Sequence, residues 1–263
     1  MRASLLPLVL APLAGGLYLA GRHGTAEPEP ARVAAAVERE IRDADIAFYR
    51  ARAARDPTGA LDLLRLGSLH LQRARESGQE ADLIAAEEAA RRSLANREAH
   101  NAAAWNLLAA ALLGQHRFVE AREAAERYLA AEPDQPSAQA LVGEVLLELG
   151  DYPAADRIFR GLTLLRTDLG VAPRYARWLE VRGRAGEARA LLESVAQEAQ
   201  RRSDIPREQA AWFDLRMGEL ALRFGRLGQA RQRLQAGLAL VPDDYRLLAA
   251  RARLAKARPF GPG

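Results

Sequence analysis

The chain has 263 residues, of which 49% are hydrophobic, 27% charged and 6% aromatic, and its formal net charge is +4. This balance excludes disorder by composition and is enough for a sizeable core. The absence of cysteine excludes disulfides, thiolate metal sites, thiol nucleophiles and a cysteine-borne lipid. Most cations are arginines interleaved with Glu and Asp, which is typical of a solvated helix surface with local ion pairs.

Residues 1–26 differ from the rest of the chain and predict a signal sequence or a membrane anchor. Residues 3–20 are almost wholly apolar and are flanked by Arg2 and Arg22. As a helix they would extend about 27 Å, close to the thickness of a bilayer core. Internal prolines and glycines, and a cleavage site at Gly24-Thr25-Ala26, leave open whether the segment is retained, and its orientation is open too. Either outcome predicts that the soluble bulk of the chain is membrane-anchored or exported, in the cell envelope or periplasm.

Residues 27–59 predict a spacer followed by a capping helix. Residues 27–30 alternate Glu and Pro, and the residue before each proline is disfavoured in a helix. Apolar residues at helical spacing then form a stripe made of Val33, Val37, Ile41 and Phe48. The stripe predicts an amphipathic helix from Ala31 to Arg55. We expect it to pack against the first repeat, because the ends of a solenoid need an atypical capping element.

A unit of about 34 residues recurs after this helix, and such a period predicts a helical solenoid. Corresponding positions of the second and third units are Trp105, Leu108, Ala109, Phe118, Ala121 and Ala125, paired with Gln139, Val142, Gly143, Tyr152, Ala155 and Phe159. The second unit runs from Ala102 to about Gln135 and the third from Pro136 to about Asp168. In all, five units are predicted between residues 60 and 245.

Two of the five units are irregular. The first is about eight residues longer than the repeat, with the excess at Arg73 to Glu80, and its chain turns at Ser77-Gly78. An extra segment from Gln197 to Pro206 separates the fourth unit from the fifth, and Ser203 or Asp204 is expected to cap the next helix. We expect the binding character peculiar to this protein to reside at these two places.

The far end of the chain predicts one more helix and a tail. The helix is expected from Asp244 to about Ala257, because Asp243-Asp244 follows Pro242 and negative charge suits a helix start. It is rich in arginine on one face and should close the solenoid. Residues 258–263 are expected to form a loose tail.

The second unit resembles a tetratricopeptide repeat. The residues that carry the resemblance are Trp105, Leu108, Ala109, Leu112, Phe118, Ala121, Ala125 and Pro133. The third and fifth units follow the same pattern, and the resemblance covers about residues 60–245. It implies an all-α fold, a right-handed α-solenoid of antiparallel helix pairs, with about five repeats plus capping helices in a domain at 60–257. It also implies a non-enzymatic scaffold or adaptor.

Small residues recur where the two helices of a unit should cross. They are Ala109, Gly143, Ala176 and Gly218 on the first helices and Ala121, Ala155, Ala188 and Ala230 on the second. Only small side chains let paired helices approach closely, so this pattern supports the paired-helix interpretation independently of the family resemblance.

A search for catalytic patterns gives no candidate. The four histidines are scattered, with no carboxylate arranged beside them in sequence, and the Glu87-Glu88 pair is expected on an exposed side of its helix. Motifs for zinc proteolysis, hydrolase nucleophiles and nucleotide phosphates are absent from the sequence. We therefore predict no enzyme activity, no cofactor and no metal site.

By the family resemblance, the concave face is lined by regularly spaced residues of each first helix. The candidate partner-binding residues are Leu64, Ser68, Leu71, Asn106, Ala110, Leu113, Glu144, Leu147, Arg177 and Glu219. The first half of this set is apolar with one amide, and the second half is mixed in charge. The family's ladder for a terminal carboxylate is absent, so an apolar or amphipathic peptide or helix is expected. The alternative is that the predicted helix from Ala31 to Arg55, or a loop, covers the leucines.

Three functions remain at this point, the least favoured of which is an enzyme whose site residues are too dispersed in the sequence to recognise. The favoured one is a protein-interaction scaffold at or beyond a membrane that binds a segment of a protein partner, with assembly of an envelope complex as one role. The alternative is a binder of nucleic acid or of an anionic surface through the arginine-rich helices, which predicts salt-dependent binding to polyanions. The membrane itself is a partner through residues 3–20 if they are retained.

Overall fold

The computed structural model describes residues 30–202 and 205–257, which form twelve α-helices and one 3-10 turn. The helices are α1 (Pro30–Arg55), α2 (Ala60–Ser77), α3 (Glu80–Asn96), α4 (Ala102–Gly114), α5 (Phe118–Ala131), α6 (Pro136–Glu148), α7 (Tyr152–Gly161), α8 (Ala172–Val181), α9 (Ala185–Arg201), α10 (Arg207–Arg223), α11 (Leu227–Leu240) and α12 (Tyr245–Lys256). Helices α2 to α11 form five consecutive pairs, and α1 and α12 cap them. The predicted all-α solenoid is confirmed.

Close crossing of the paired helices depends on small residues, as the sequence predicts. A Cβ atom on Gly143 would lie 2.8 Å from the Phe159 ring, and one on Gly218 would lie 2.8 Å from Leu234. Ala109 and Ala121 in the second unit are both fully buried. Larger side chains at these positions would separate the two helices of a unit and open the core between units.

The predicted turn at Gly78 and the predicted start of the last helix are also confirmed, and a turn of the same kind occurs at Gly183. Gly78 and Gly183 have φ values of 71° and 74°, in the left-handed region that favours glycine after a helix. Asp244 caps α12, because its side chain accepts hydrogen bonds from the backbone N–H groups of Arg246 and Leu247.

The predicted packing face of α1 is wrong, although its extent is confirmed. Val33, Val37, Ile41 and Phe48 are 45–58% exposed. The buried side chains of α1 are instead Ala35, Arg42, Ile46 and Ala53. Small alanines let α1 approach its neighbours closely, and Arg42 forms an ion pair with Glu76 of α2. Helical periodicity detects an apolar face but cannot tell whether the rest of the chain packs against it.

The two ends of the solenoid contact each other. Ala35 of α1 is buried in the core of the last repeat. Arg207 Nε donates to Glu38 Oε1 at 2.9 Å, and Arg32 Nε lies 3.5 Å from Asp243 Oδ1. Helix α1 therefore packs on the first unit and on the fifth, which brings the ends of the repeat array together.

Three predictions lie outside the described residues. They are the signal or anchor at 1–26, the cap at Ser203 or Asp204, and the tail at 258–263. Among the helices that the structure does describe, none has the length and apolar character needed to cross a bilayer.

Candidate partner-binding groove

The first helices of the first two units line an open groove of about 450 Å³, here called the apolar groove. Its lining residues are Leu61, Leu64, Arg65, Ser68, Leu71, Arg75, Ala103, Asn106, Leu107 and Ala110. They recur at steps of three and four, which places them on one face of α2 and one face of α4. Five of the predicted partner-binding residues are thus brought together: Leu64, Ser68, Leu71, Asn106 and Ala110.

Polar groups in the apolar groove differ in whether they already have partners. The Ser68 hydroxyl donates to the Leu64 carbonyl at 2.9 Å. Arg75 Nε lies 3.6 Å from Glu208 Oε2. The side chains of Asn106 and Arg65 make no hydrogen bond or ion pair with any residue that the structure describes. An amide and a guanidinium are therefore available to a ligand beside an apolar floor.

The middle of the concave face offers less apolar surface. Glu144 of α6 accepts a hydrogen bond from Arg174 Nε of α8 at 2.7 Å, which closes part of the face with an ion pair. Leu113 is half-buried and packs against the core, while Leu147 is only 6% exposed. The structure thus places Leu147 in the core and not on the open surface.

The C-terminal part of the concave face is ionic. Here the structure contains a second groove of about 450 Å³, lined by Arg216, Glu219, Leu222, Arg223, Arg253 and Ala257. Glu219 pairs with Arg216 at 3.0 Å and with Arg253 at 2.7 Å. Arg177, the other predicted residue of this half, lies 3.9 Å from the buried carboxylate of Glu180. Charges here already satisfy one another, in contrast to the free amide of the apolar groove.

Contact between the ends of the solenoid closes one rim of the apolar groove. Arg75 on α2 reaches Glu208 at the start of α10, and Arg246 Nη2 donates to the same carboxylate at 2.7 Å. Burial lowers the pKa of Arg246, but hydrogen bonds and charges from Asp244 and Glu208 more than offset it, so its pKa stays above the ordinary value. The rim is thus held by ion pairs between α2, α10 and α12.

The sequence does not predict a cluster of His70, Arg73 and Asp82, because the carboxylate is twelve residues from the histidine. Buried His70 Nδ1 lies 2.8 Å from Asp82 Oδ1, and Arg73 Nη2 donates to the same oxygen at 2.6 Å. The cluster joins the last turns of α2 to the first turn of α3. Residues 70 and 82 lie on either side of a short turn between two antiparallel helices. The predicted helix pairing is therefore enough to place Asp82 near His70.

The pKa of Asp82 reports this environment. Burial raises it, but hydrogen bonds from Arg73 and His70 outweigh burial and hold it below the ordinary range. Among the described residues, no group of three or more His, Asp or Glu is arranged to hold a metal ion. The cluster therefore has the character of a structural network within the first unit.

The prediction for Glu87 is also wrong. Glu87 is 9% exposed, and its carboxylate accepts hydrogen bonds from Arg91, Gln115 and Arg117. Burial raises the pKa of Glu87, but the three donors outweigh burial and hold that pKa below the usual range. Arg117 belongs to the following unit. Helical periodicity within one unit cannot predict a contact between units.

Many described arginines form local ion pairs, such as Arg122 with Glu126 at 2.7 Å and Arg184 with Glu187 at 2.6 Å. Ion pairing of this kind among the described residues offsets positive charge locally, so it does not favour the alternative of a polyanion binder. That alternative stays a prediction to be tested by salt dependence.

Comparisons with known proteins agree with this architecture. Residues 112–177 match the model of a tetratricopeptide repeat family. A thermophilic TPR protein of Thermus thermophilus has a TM-score of 0.59 and 18% identity, over 75% of this chain and 98% of that one. The APC/C hetero-tetramer Cut9-Hcn1 has a TM-score of 0.62 and 14% identity, over 82% of this chain and 40% of that one.

A third solved structure is that of PilW, a widely conserved type IV pilus biogenesis factor, with a TM-score of 0.52 and 17% identity over 84% of this chain and 96% of that one. A search of curated proteins finds no match. At such identities the likeness concerns the fold. The chain therefore has the fold of a tetratricopeptide-type α-solenoid, and the repeat is recognised in its sequence over residues 112–177.

Proposed function

We propose that this protein is a non-enzymatic scaffold whose apolar groove binds an apolar or amphipathic segment of a protein partner. The tetratricopeptide-type solenoid is an interaction fold, since stacked repeats create an extended concave surface. The groove between α2 and α4 provides such a surface, with leucine and alanine side chains open to solvent. A helix or peptide with apolar anchors matches this lining.

The observation that carries the proposal is the free polar pair beside an apolar floor. Asn106 and Arg65 lack partners within the described chain, whereas the polar groups of the ionic half satisfy one another. Unpaired polar groups in an open apolar groove supply orientation and specificity, while the apolar floor supplies affinity. We propose that the apolar groove, and not the ionic half, makes the main contact with the partner.

A place at the cell envelope is also part of the proposal. The apolar segment at 3–20 supports attachment or export, and the fold is shared with PilW. We therefore propose that the partner belongs to an envelope complex and that the protein takes part in the assembly or maturation of that complex.

The test is a pull-down of the full chain from membranes after cross-linking, with Asn106→Arg and Leu61→Glu as groove variants, since both residues are exposed and line the apolar groove. The Asn106 side chain is exposed, so replacing it should leave the fold intact while placing a larger, charged group in the groove. We expect the recovered partner to fall at least about tenfold in each variant, since a charge in an apolar contact costs more than about 1.4 kcal/mol.

The matched control is Val119→Glu, because Val119 is 66% exposed on α5 and does not line the groove. Circular dichroism verifies that all three variants fold. Recovery of the same partners in equal amounts by the wild type and both groove variants would show that the groove is not the binding site.

A further inference from the structure

The charged side chains of α2 are divided between the side that meets α1 and the side that lines the apolar groove. Helix α2 contains two carboxylates, Asp62 and Glu76. Asp62 pairs with Arg52 of α1 at 2.9 Å, and Glu76 pairs with Arg42 of α1. Both carboxylates are therefore engaged away from the apolar groove, and neither lines it.

Positive charge is what remains on the groove side. Helix α4, which contributes the other lining residues, contains no charged residue. The charge of the lining therefore comes from Arg65 and Arg75 of α2. Arg75 lies at the rim, where the Glu208 carboxylate, 3.6 Å away, offsets part of its charge. Arg65 is exposed and has no partner in the described part of the chain. The apolar groove thus carries one guanidinium that no carboxylate of the protein neutralises.

Arg65 borders a row of groove residues on α2. The row consists of Leu61, Leu64, Ser68 and Leu71. At 100° per residue these four fall within an arc of about 80°, and Arg65 lies about 40° outside that arc. The row is about 15 Å long, which is close to three turns of a helix. A ligand that packs along the row therefore meets the guanidinium at one edge of the apolar contact.

On the basis of the function proposed above, we infer that the apolar groove binds an amphipathic helix that carries Asp or Glu at the edge of its apolar stripe. The apolar stripe packs on the leucine row, and the carboxylate pairs with Arg65. A guanidinium binds a carboxylate through two parallel hydrogen bonds, so the pair fixes the position of the helix along the groove. A helix with Lys or Arg at that edge is repelled, so Arg65 also selects between partners.

Backbone hydrogen bonding favours a helix over an extended peptide in this groove. An extended segment would lay its N–H and C=O groups against leucine and alanine side chains. Asn106 supplies the one free amide among the lining residues, and the Ser68 hydroxyl already donates to the Leu64 carbonyl. Backbone groups buried without partners are costly, whereas a helix pairs its own backbone groups internally.

The test is selection from a phage-displayed library of random 16-residue peptides, panned on the full chain in mild detergent. We expect the enriched peptides to have apolar residues at steps of three and four, with Asp or Glu at the edge of the stripe. Panning on Arg65→Glu should keep the apolar spacing and replace the acidic residue by Lys or Arg. Arg231→Glu makes the same charge change at an exposed site on α11 that lines neither groove, and should select the same peptides as the wild type.

Fluorescence anisotropy of one enriched peptide supplies the second measurement. Replacing its acidic residue by the corresponding amide should weaken binding to the wild type about fivefold, since a partly shielded ion pair is lost. The same replacement should leave binding to Arg65→Gln unchanged, because the partner of the carboxylate is already absent. Proline at the centre of the peptide should abolish binding, because it breaks a helix.

The outcomes separate this inference from the function on which it rests. Apolar peptides without a preference for acidic residues, or the same peptides on the wild type and on Arg65→Glu, would overturn the inference and leave the proposed function in place. Apolar residues at alternate positions would also overturn it, since they indicate an extended segment. No enrichment, or peptides that bind Leu61→Glu as well as the wild type, would count against both, because binding would not depend on the apolar groove.

Discussion

The ring of Tyr245, at the start of the last helix, lies against Gly78, at the end of the first repeat helix: a Cβ on Gly78 would be 2.8 Å from the ring. Residues far apart in the sequence thus touch, in a fold whose units otherwise contact their neighbours. The contact belongs to the same region as the Arg75–Glu208 and Glu38–Arg207 pairs. It joins the two ends of the repeat array through α1, α2, α10 and α12.

Replacing Gly78 by Ala should destabilise the protein more than replacing Gly150 by Ala. Both glycines have positive φ, 71° and 81°, so both changes strain the backbone by about 1 kcal/mol. Only Gly78 faces a ring, whereas nothing lies within 4 Å of a Cβ on Gly150. We expect an additional loss of about 1–3 kcal/mol for Gly78→Ala, measured by thermal or denaturant unfolding.

The Tyr245→Ala background checks the cause of this difference. With the ring removed, Gly78→Ala and Gly150→Ala should cost nearly the same, because only the shared backbone strain remains. A difference that persists without the ring would place its cause elsewhere than in the contact between the two ends.

Introducing a charge at Ala35 should separate the ends while leaving the middle repeats folded. Ala35 is 5% exposed and lies in the core of the last repeat, so Ala35→Glu buries a carboxylate there. We expect faster amide hydrogen exchange in α1, α11 and α12 and unchanged exchange in α4 to α7. Ala47→Glu, on the exposed side of the same helix, is the control. Uniform acceleration across all repeats would contradict a local joint.

The sequence predicts the repeat architecture because its determinants are local. Small residues such as Gly143 and Ala155 recur at fixed spacing, and turn glycines such as Gly78 mark helix ends, so units and their order can be inferred without tertiary knowledge. The candidate site is predicted in part for the same reason, since Leu64, Asn106 and Ala110 follow from position within a unit and do line one groove.

The contacts that the sequence does not predict are those between distant units. The packing face of α1 is decided by Ala35 and Arg42, whose partners lie in the last repeat and in α2. Helical periodicity identifies a face from large apolar side chains such as Val37 and Ile41. It does not show whether other elements pack against that face. The rim pair of Arg75 and Glu208 depends on the curvature of the whole array, which no single repeat encodes.

Asp82→Asn should destabilise the first unit by about 2–4 kcal/mol, because it leaves buried His70 and partly buried Arg73 without their shared carboxylate. Since the folded-state pKa of Asp82 is depressed, its contribution is present above the unfolded pKa of about 4 and is lost as pH falls through the folded pKa. Unfolding measured at neutral and at acidic pH should show the gap between wild type and variant narrowing at the acidic end. Exposed Glu88→Gln is the control, and an equal effect of the two changes would contradict a specific role for the cluster.

Asp214→Asn should stabilise the protein at neutral pH. The Asp214 side chain is 1% exposed, with Gln200 Nε2 3.3 Å and Arg233 Nη1 3.6 Å from its oxygens. Burial raises its pKa, and attraction from Arg233 compensates only in part, so the fold favours the protonated form.

Because the folded pKa of Asp214 lies above the unfolded one, its ionisation penalty is absent below the unfolded pKa of about 4. The penalty then grows as pH rises through the folded pKa. The variant, which carries no charge, should therefore unfold at a higher temperature than wild type at about pH 7 and at nearly the same temperature at about pH 3. A variant less stable than wild type at neutral pH would mean that the ion pair with Arg233 outweighs the cost of burial.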